Sequence, residues 1–317
     1  MPEPNLPTGD RGDAFRLLVV IPCLDEAPTV GRVVADVPRD IPGIARVDIV
    51  VIDDGSTDGT GDRAREAGAE VVRHRATFQE AVGIAIARNA DVLLHIDGDG
   101  QFDPGDIPLL VKPVVEHEAH MATASSFLDR DLVPTMPAVK RWGNRGVAGI
   151  VRLLTGRRFR DVSCGFRAFS REALLRMNLF GAFTYTQECF LDLIFKGLTV
   201  VEIPAKVRGV REFGASRVAS SLPRYAFRSL QIMLRAFISY RPFSFFFTLG
   251  TLFLLIGLSF LVFLGLHWLR SGGFTPHVWA GFVGGAFGIL AVSTSPGDSW
   301  RSCFYCATSL SSSLVHP

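Results

Sequence analysis

Three times within the first third of the chain, a short β-branched or aliphatic run is followed at once by an acidic loop. That repetition limits the fold more than composition does. Residues 17–21 run into Pro22-Cys23-Leu24-Asp25-Glu26, residues 48–52 into Asp53-Asp54-Gly55-Ser56-Thr57-Asp58-Gly59-Thr60, and residues 92–96 into Asp97-Gly98-Asp99-Gly100-Gln101. Between the runs, residues 29–37, 61–67 and 79–89 carry helical spacing, and residues 70–73 read as one more strand. Strands alternating with helices of this length imply right-handed βαβ units and a mainly parallel sheet. In such a sheet the three acidic loops share one edge, where ligands of open α/β sheets bind.

The third loop carries the sharpest chemistry. Two carboxylates one residue apart, with glycine between and after, let the backbone curl until both face one hard cation. Oxygen donors without cysteine suit Mg²⁺ or Mn²⁺ rather than zinc. A lone acidic turn after a strand would be unremarkable; the two neighbouring loops outweigh that reading. Carboxylates on the first two can accept hydrogen bonds from a base N–H and from ribose hydroxyls, while the third holds a metal on a pyrophosphate. Together they make a nucleotide-sugar site. Within the second loop, Asp58 has the simpler expectation of a helix N-cap. No G-x-G-x-x-G accompanies these strands, which argues against a dinucleotide-binding domain.

The 317 residues allow one large or two modest domains. With 33 Lys+Arg against 31 Asp+Glu the charge is balanced, so no nucleic-acid partner is expected. Mean hydropathy is +0.28, and the apolar excess lies after Pro242. Five cysteines without regular spacing suggest a reducing compartment rather than a disulfide scaffold. Cys303 and Cys306 form a C-x-x-C with no second pair or histidine pair, which carries no zinc or redox reading. Residues 1–16 are polar, lack a signal-peptide core, and are expected to be a disordered leader.

The segments V-V-I-P-C-L-D-E, V-I-D-D-G-S-T-D-G-T and I-D-G-D-G-Q-F-D-P resemble the nucleotide-binding loops of family 2 glycosyltransferases with the GT-A fold. D-V-S-C-G-F-R-A-F-S-R-E-A-L from Asp161 and R-G-V-R-E-F-G-A-S-R-V from Arg208 are similar to the branch containing dolichol-phosphate mannose synthase and bacterial polyprenyl-phosphate glycosyltransferases. The resemblance covers about residues 17–287. It implies an α/β GT-A domain over 17–217 with a mainly parallel sheet, moving a hexose from a UDP- or GDP-hexose to a dolichyl or undecaprenyl phosphate. On these motifs Pro22, Asp25 and Glu26 fall on the first nucleotide loop, and Asp53, Asp54 and Gly55 on the base and ribose loop. Asp97 and Asp99, with Gln101 beside them, fall on the metal motif, and Asp97 also on the donor. Asp161 falls at the reaction centre. Arg208, Arg211, Ser216 and Arg217 match a basic stretch that closes on phosphates, with Arg217 assigned to catalysis.

Three departures stand out. Asp25 replaces the usual asparagine, residues 74–80 lack the lysine of a G-x-G-K-like segment, and Ser125-Ser126-Phe127 lacks the arginine of S-R-F. Arg130, or Lys140, Arg141 and Arg145 on the next helix, are candidates to take that arginine's place on the acceptor phosphate.

The expected reaction is a single in-line displacement with inversion. A phosphate monoester has its second pKa near ~6, so the acceptor needs little help from a base. Asp161 would position acceptor or metal. Metal and arginines would bring two anions together and stabilise the leaving nucleoside diphosphate.

Residues 218–241 place Arg224, Arg228, Gln231 and Arg235 on one stripe, as expected of an interfacial helix at a lipid bilayer. Residues 243–269 carry no formal charge and exceed the ~20 needed to span. Residues 278–292, about 22 Å of helix at 1.5 Å per residue, are expected to be re-entrant or poorly held. The Ser-rich tail at 293–317 is unlike the family, as a truncated or frame-shifted end would be. The catalytic domain is expected on the cytoplasmic side of the membrane, and a homo-oligomer is compatible with this reading. Two alternatives are a processive polysaccharide synthase, for which Q-x-x-R-W is missing, and a catalytically silent membrane-anchored nucleotide-sugar binder, against which both Asp97 and Asp99 argue.

Overall fold

The computed structural model describes residues 15–73, 78–129, 131–133, 138–178, 185–208, 230–231, 233–235 and 237–294. They divide into two compact units, Met1–Ala236 and Phe237–Pro317.

The first unit is built on β1 (Phe15–Cys23), β2 (Ile44–Asp53), β3 (Glu70–Arg73) and β4 (Val92–His95), with α1 (Ala27–Ala35), α2 (Thr60–Glu66) and α3 (Phe78–Ala87) between them. It continues through α4 (Ile107–Val115), β5 (Met121–Ser125), α5 (Ala138–Thr155), β6 (Arg167–Ser170), α6 (Arg171–Arg176), α7 (Tyr185–Phe195) and β7 (Val200–Pro204). The strand order is β3-β2-β1-β4-β6-β5-β7. β1 is central and covered on both faces, so residues 17–21 are all buried and read as an unbroken apolar run. Leu17, Val19 and Ile21 join one core cluster, Leu18 and Val20 the other, as the two-residue alternation of a strand requires.

β1, β2, β3 and β4 are parallel, and the register places Cys23 beside Asp53 and Val20 beside His95. The three acidic loops therefore leave the sheet side by side. One feature of the sheet was not expected from the sequence: residues 167–170, inside the reaction-centre motif, form β6, which runs antiparallel between β4 and β5. A four-residue strand in a segment read for its motif shows no periodicity of its own.

The second unit contains α8 (Pro242–Ser271) and α9 (Val278–Thr294). Among the described residues α8 alone is long and apolar enough to cross a membrane. Residues 278–292 were expected to be re-entrant or poorly held; they lie in α9, a continuous helix shorter than a full span and packed antiparallel on α8, with Phe253 against Phe287, Gly257 against Gly284 and Phe260 against Trp279. A Cβ on Gly257 would stand 2.9 Å from the Gly284 carbonyl, so the glycines let the backbones touch. Close approach of small residues is how apolar helices associate where water supplies no driving force. Counting apolar length cannot show this. Of the expected interfacial helix at 218–241, residues 218–229 lie outside the described residues. Met233 is buried against the core of the first unit, while Leu230 and Leu234 are exposed.

Candidate active site

The first two acidic loops are sewn together by short polar side chains. Asp25 has a left-handed backbone, φ 55°, which aspartate and asparagine tolerate better than most residues. Its amide donates to the Ser56 hydroxyl at 3.0 Å, and its Oδ1 accepts the Thr57 amide at 3.0 Å. The Glu26 amide donates to Thr60 Oγ1 at 2.9 Å. The expected cap role of Asp58 is modified: the N-cap of α2 is Gly59, and the Asp58 carboxylate accepts the amides of Ala27 and Thr60 and the Thr60 hydroxyl. Burial would push its carboxyl up, but these hydrogen bonds outweigh it and hold the carboxyl below its ordinary value. One carboxylate thus serves the first residues of two helices.

Asp53 is buried at the end of β2, its Oδ1 accepting the Ser56 amide at 2.7 Å and its Oδ2 lying 3.8 Å from Arg73 Nε. Asp54 is exposed, its amide donating to the Cys23 carbonyl at 3.0 Å, and Gly55 follows in a left-handed turn, φ 87°.

The third loop, expected to hold the metal, packs on the first. Thr29 Oγ1, in the first turn of α1, donates to the Gly98 carbonyl at 2.7 Å. A Cβ on Gly98 would stand 2.3 Å from Cys23 Sγ, so any side chain between the two aspartates would have to displace the cysteine. Gly100, φ 71°, completes the curl. Asp99 is buried and its Oδ1 accepts the Gln101 amide at 3.0 Å, while Asp97 is half-buried. Burial first, and then the carboxylates of Glu26, Asp97, Asp53 and Asp99, push the Cys23 thiol well above its ordinary value. Carboxylates from all three loops thus act on one buried thiol where the parallel strands end. Pro22, next to last in β1, lies opposite Ile52 of β2.

Among the described residues, no three His, Cys, Asp or Glu side chains are grouped to hold a metal. Two carboxylates nevertheless fit Mg²⁺ or Mn²⁺ carried by a phosphorylated substrate, because Mg²⁺ commonly takes one or two carboxylates and fills its octahedron with phosphates and water. A Cβ on Gly165 would lie 3.0 Å from Asp97 Oδ2, so glycine there keeps the space beside this carboxylate open.

Gln101, expected at the metal, directs its amide nitrogen to the Arg208 carbonyl at 3.0 Å, and the Arg208 amide returns to the Gln101 carbonyl at 2.9 Å. With the bridge between Phe102 and Val207, this clips the start of the basic stretch to the metal loop. Arg211, Ser216 and Arg217 lie outside the described residues, as does Arg130.

Asp161 is held from farther away. Its amide and that of Arg160 both donate to the Glu202 carboxylate, at 2.7 Å and 2.9 Å. Its own Oδ1 accepts the Ser163 amide at 3.0 Å. Arg167 is fully buried, donating to the carbonyls of Val162 at 3.0 Å and Thr186 at 2.7 Å and lying over the Phe190 ring. Burial pushes the Asp161 carboxyl up to about 6; the Ser163 amide and Arg167 pull it down, and Glu202 pushes it further up. Buried His95, at the end of β4, is pushed down to about 4 by burial and is neutral, so its Nδ1–H donates to the Gly165 carbonyl at 3.0 Å.

Lys140, Arg141 and Arg145 are on α5, as expected. Asn144 of the same helix joins it to the Asp161 loop, its Nδ2 donating to the Arg160 carbonyl at 3.1 Å and its Oδ1 accepting the Ser163 hydroxyl at 3.1 Å. Arg141 is one turn away and half-buried; Arg145 is exposed. Glu202, Asn144 and Arg167 were not singled out from the sequence. The signal for Glu202 was a charge inside the apolar run Val200–Pro204.

The model of glycosyl transferase family 2 matches residues 18–177, which spans all three acidic loops and the Asp161 loop. The chain belongs to glycosyl transferase family 2. Among its relatives, a polyprenol monophosphomannose synthase of Mycolicibacterium smegmatis is 31% identical over 229 residues, 67% of this chain and 84% of that protein. An undecaprenyl-phosphate mannosyltransferase of Micrococcus luteus is 27% identical over 227 residues, 66% and 89% of the two chains. The fold is that of glucosyl-3-phosphoglycerate synthase from Mycobacterium tuberculosis, solved with Mn²⁺, UDP-glucose and phosphoglyceric acid. The two superpose with TM-score 0.56 at 22% identity, over 70% of this chain and 80% of that one. As a family 2 glycosyltransferase the chain has a GT-A-like α/β domain, and α8 and its polyprenyl-phosphate relatives point to membrane association.

Proposed function

We propose that this glycosyltransferase moves one hexose from a UDP- or GDP-hexose to a polyprenyl phosphate, with inversion, at the cytoplasmic face of a membrane. The observation that carries the reading is that the loops bearing Glu26, Asp53, Asp97 and Asp99 leave neighbouring parallel strands at one end of the sheet and are hydrogen-bonded to one another. Asp53 and Asp54 suit the hydroxyls and N–H groups of a nucleoside, and Asp25 shapes the loop beside them. Asp97 and Asp99 would hold Mg²⁺ or Mn²⁺, which when bound neutralises the pyrophosphate and helps it leave.

The acceptor side needs cations and a well-placed carboxylate. Arg141 Nε is buried without a hydrogen-bond partner among the described residues, a donor that an anionic group would satisfy. Asp161 titrates about where a phosphate monoester loses its second proton, so a proton left on the acceptor can pass to it at little cost. The relatives named for polyprenyl phosphates and the apolar α8 support a lipid acceptor. The basic stretch beginning at Arg208 is assigned to phosphate, with Arg211, Ser216 and Arg217 completing it.

The test is transfer by the detergent-solubilised chain with UDP- and GDP-hexoses against undecaprenyl and dolichyl phosphates, read by product mass. We expect a product one hexose heavier than the lipid. Asp99→Ala or excess EDTA should reduce the rate at least about a thousandfold, since several kcal/mol of charge stabilisation is removed. Wild-type rates in EDTA would overturn the metal assignment, and a product bearing many hexoses would replace this reading with a processive synthase.

A further inference from the structure

Glu202 lies on β7 opposite Thr123 of β5, on an edge of the sheet. Its strand neighbours Val201 and Ile203 pack on one core cluster, so Glu202 projects from the opposite face with Val200. A charge on an edge strand commonly serves only to discourage pairing with another sheet. Here the carboxylate turns inward. Its Oε1 accepts the Arg160 and Asp161 amides at 3.0 and 2.7 Å, and its Oε2 accepts the Arg160 amide at 2.9 Å. Two successive backbone amides thus hold one anionic group, supplied by the protein itself. The same peptide is held at its other polar ends. The Arg160 carbonyl accepts from Asn144, and the Arg160 guanidinium donates to the carbonyls of Phe127 at 3.2 Å and Leu128 at 2.8 Å.

We infer that Glu202 is a positioning residue for the transfer reaction: by capturing the two amides it fixes where the Asp161 carboxylate stands relative to the acceptor. This inference rests on the proposed transferase function. A second carboxylate beside a buried one is electrostatically unfavourable. A neutral acceptor could cap the same amides with less repulsion, so bare stability does not explain the choice. Charge-assisted bonds are shorter and stronger than neutral ones, and that rigidity is what a reacting geometry needs.

Three variants test it with acceptor and donor titrated separately. Glu202→Leu keeps the bulk but removes the oxygens, and kcat should fall about 100-fold, the cost of a misplacement near 1 Å. The KM for the nucleotide sugar should stay within about twofold, because the donor loops are untouched. Glu202→Gln keeps an acceptor oxygen and should recover kcat to within about tenfold of wild type. Glu202→Asp, one methylene shorter, should fall between the two. Hydrogen exchange of the Arg160 and Asp161 amides should be slow in wild type and Glu202→Gln and fast in Glu202→Leu. A Leu variant with wild-type kcat, or a Gln variant no better than Leu, overturns the inference. If wild type transfers no hexose from any donor, the transferase reading fails instead. The exchange measurement then decides whether Glu202 holds the loop, and unchanged exchange in the Leu variant overturns it.

Discussion

The proposed donor side and the proposed acceptor side of the site are held by different means. On that donor side, Asp25, Asp53, Ser56, Asp58 and Thr60 accept backbone amides within and between the first two acidic motifs, while Thr29 bonds to the third motif and Cys23 packs on it. On the acceptor side, Asp161 depends on Glu202 from β7, Asn144 from α5 and Arg167 from β6, which reach across the fold. The first arrangement is many short, replaceable bonds. The second relies on a few long-range partners around buried Asp161 and Arg167, where losing one strands the others. Local loops should therefore tolerate loss gradually, and the acceptor loop should fail abruptly.

The largest test of that contrast is Arg167. Replacing it with Met keeps the stem but leaves the Val162 and Thr186 carbonyls without their donor, and removing one partner of a buried charged network typically costs about 3 to 5 kcal/mol. We expect a loss of that order by chemical denaturation, with transfer abolished. A cost below about 1 kcal/mol would erase the contrast.

Asp161 should show the opposite sign, because its charge is held at the expense of stability. Its folded pKa of about 6 lies above the ordinary 3.8, so its contribution to stability is fully present below pH 4 and is lost as pH rises through 6. Two units correspond to about 3 kcal/mol. Asp161→Asn removes the titration, so relative to wild type it should gain about 3 kcal/mol between pH 4 and pH 7.5 while losing transfer. Parallel stability curves for the two proteins would show that Asp161 is not held in an unfavourable state. His95 moves the other way: its depressed pKa gives stability present above 6.5 and lost as pH falls toward 4, and it remains in both proteins.

The smallest effect belongs to the donor side. Gly98→Ala forces a Cβ against Cys23 Sγ, and overpacking of this kind costs about 1 to 3 kcal/mol. Cys23→Ala removes the sulfur, so the double variant should recover at least half of both the stability and the metal-dependent rate. If it recovers nothing, the space beside Gly98 is limited by Ile21 and the Pro22 carbonyl rather than by the cysteine.

The order of strands and helices through β4 was legible in the sequence because each element carries its own apolar period. The donor loops were legible because a turn that presents carboxylates must be written in contiguous Asp, Gly, Ser and Thr. α8 was legible because 30 residues without an acidic side chain have few other uses. Tertiary structure alone decided the rest. β6 is set antiparallel by its partners β4 and β5 and has too few residues to show a period. α9 is held by glycine contacts with α8, which a count of apolar residues cannot register. Asp161 acquires its place and its raised pKa from Glu202, Arg167 and burial, 41 residues away in sequence in the first case. Short-range hydrogen bonds leave a local signature in the chain, whereas desolvation and long-range charge pairing exist only after distant segments meet.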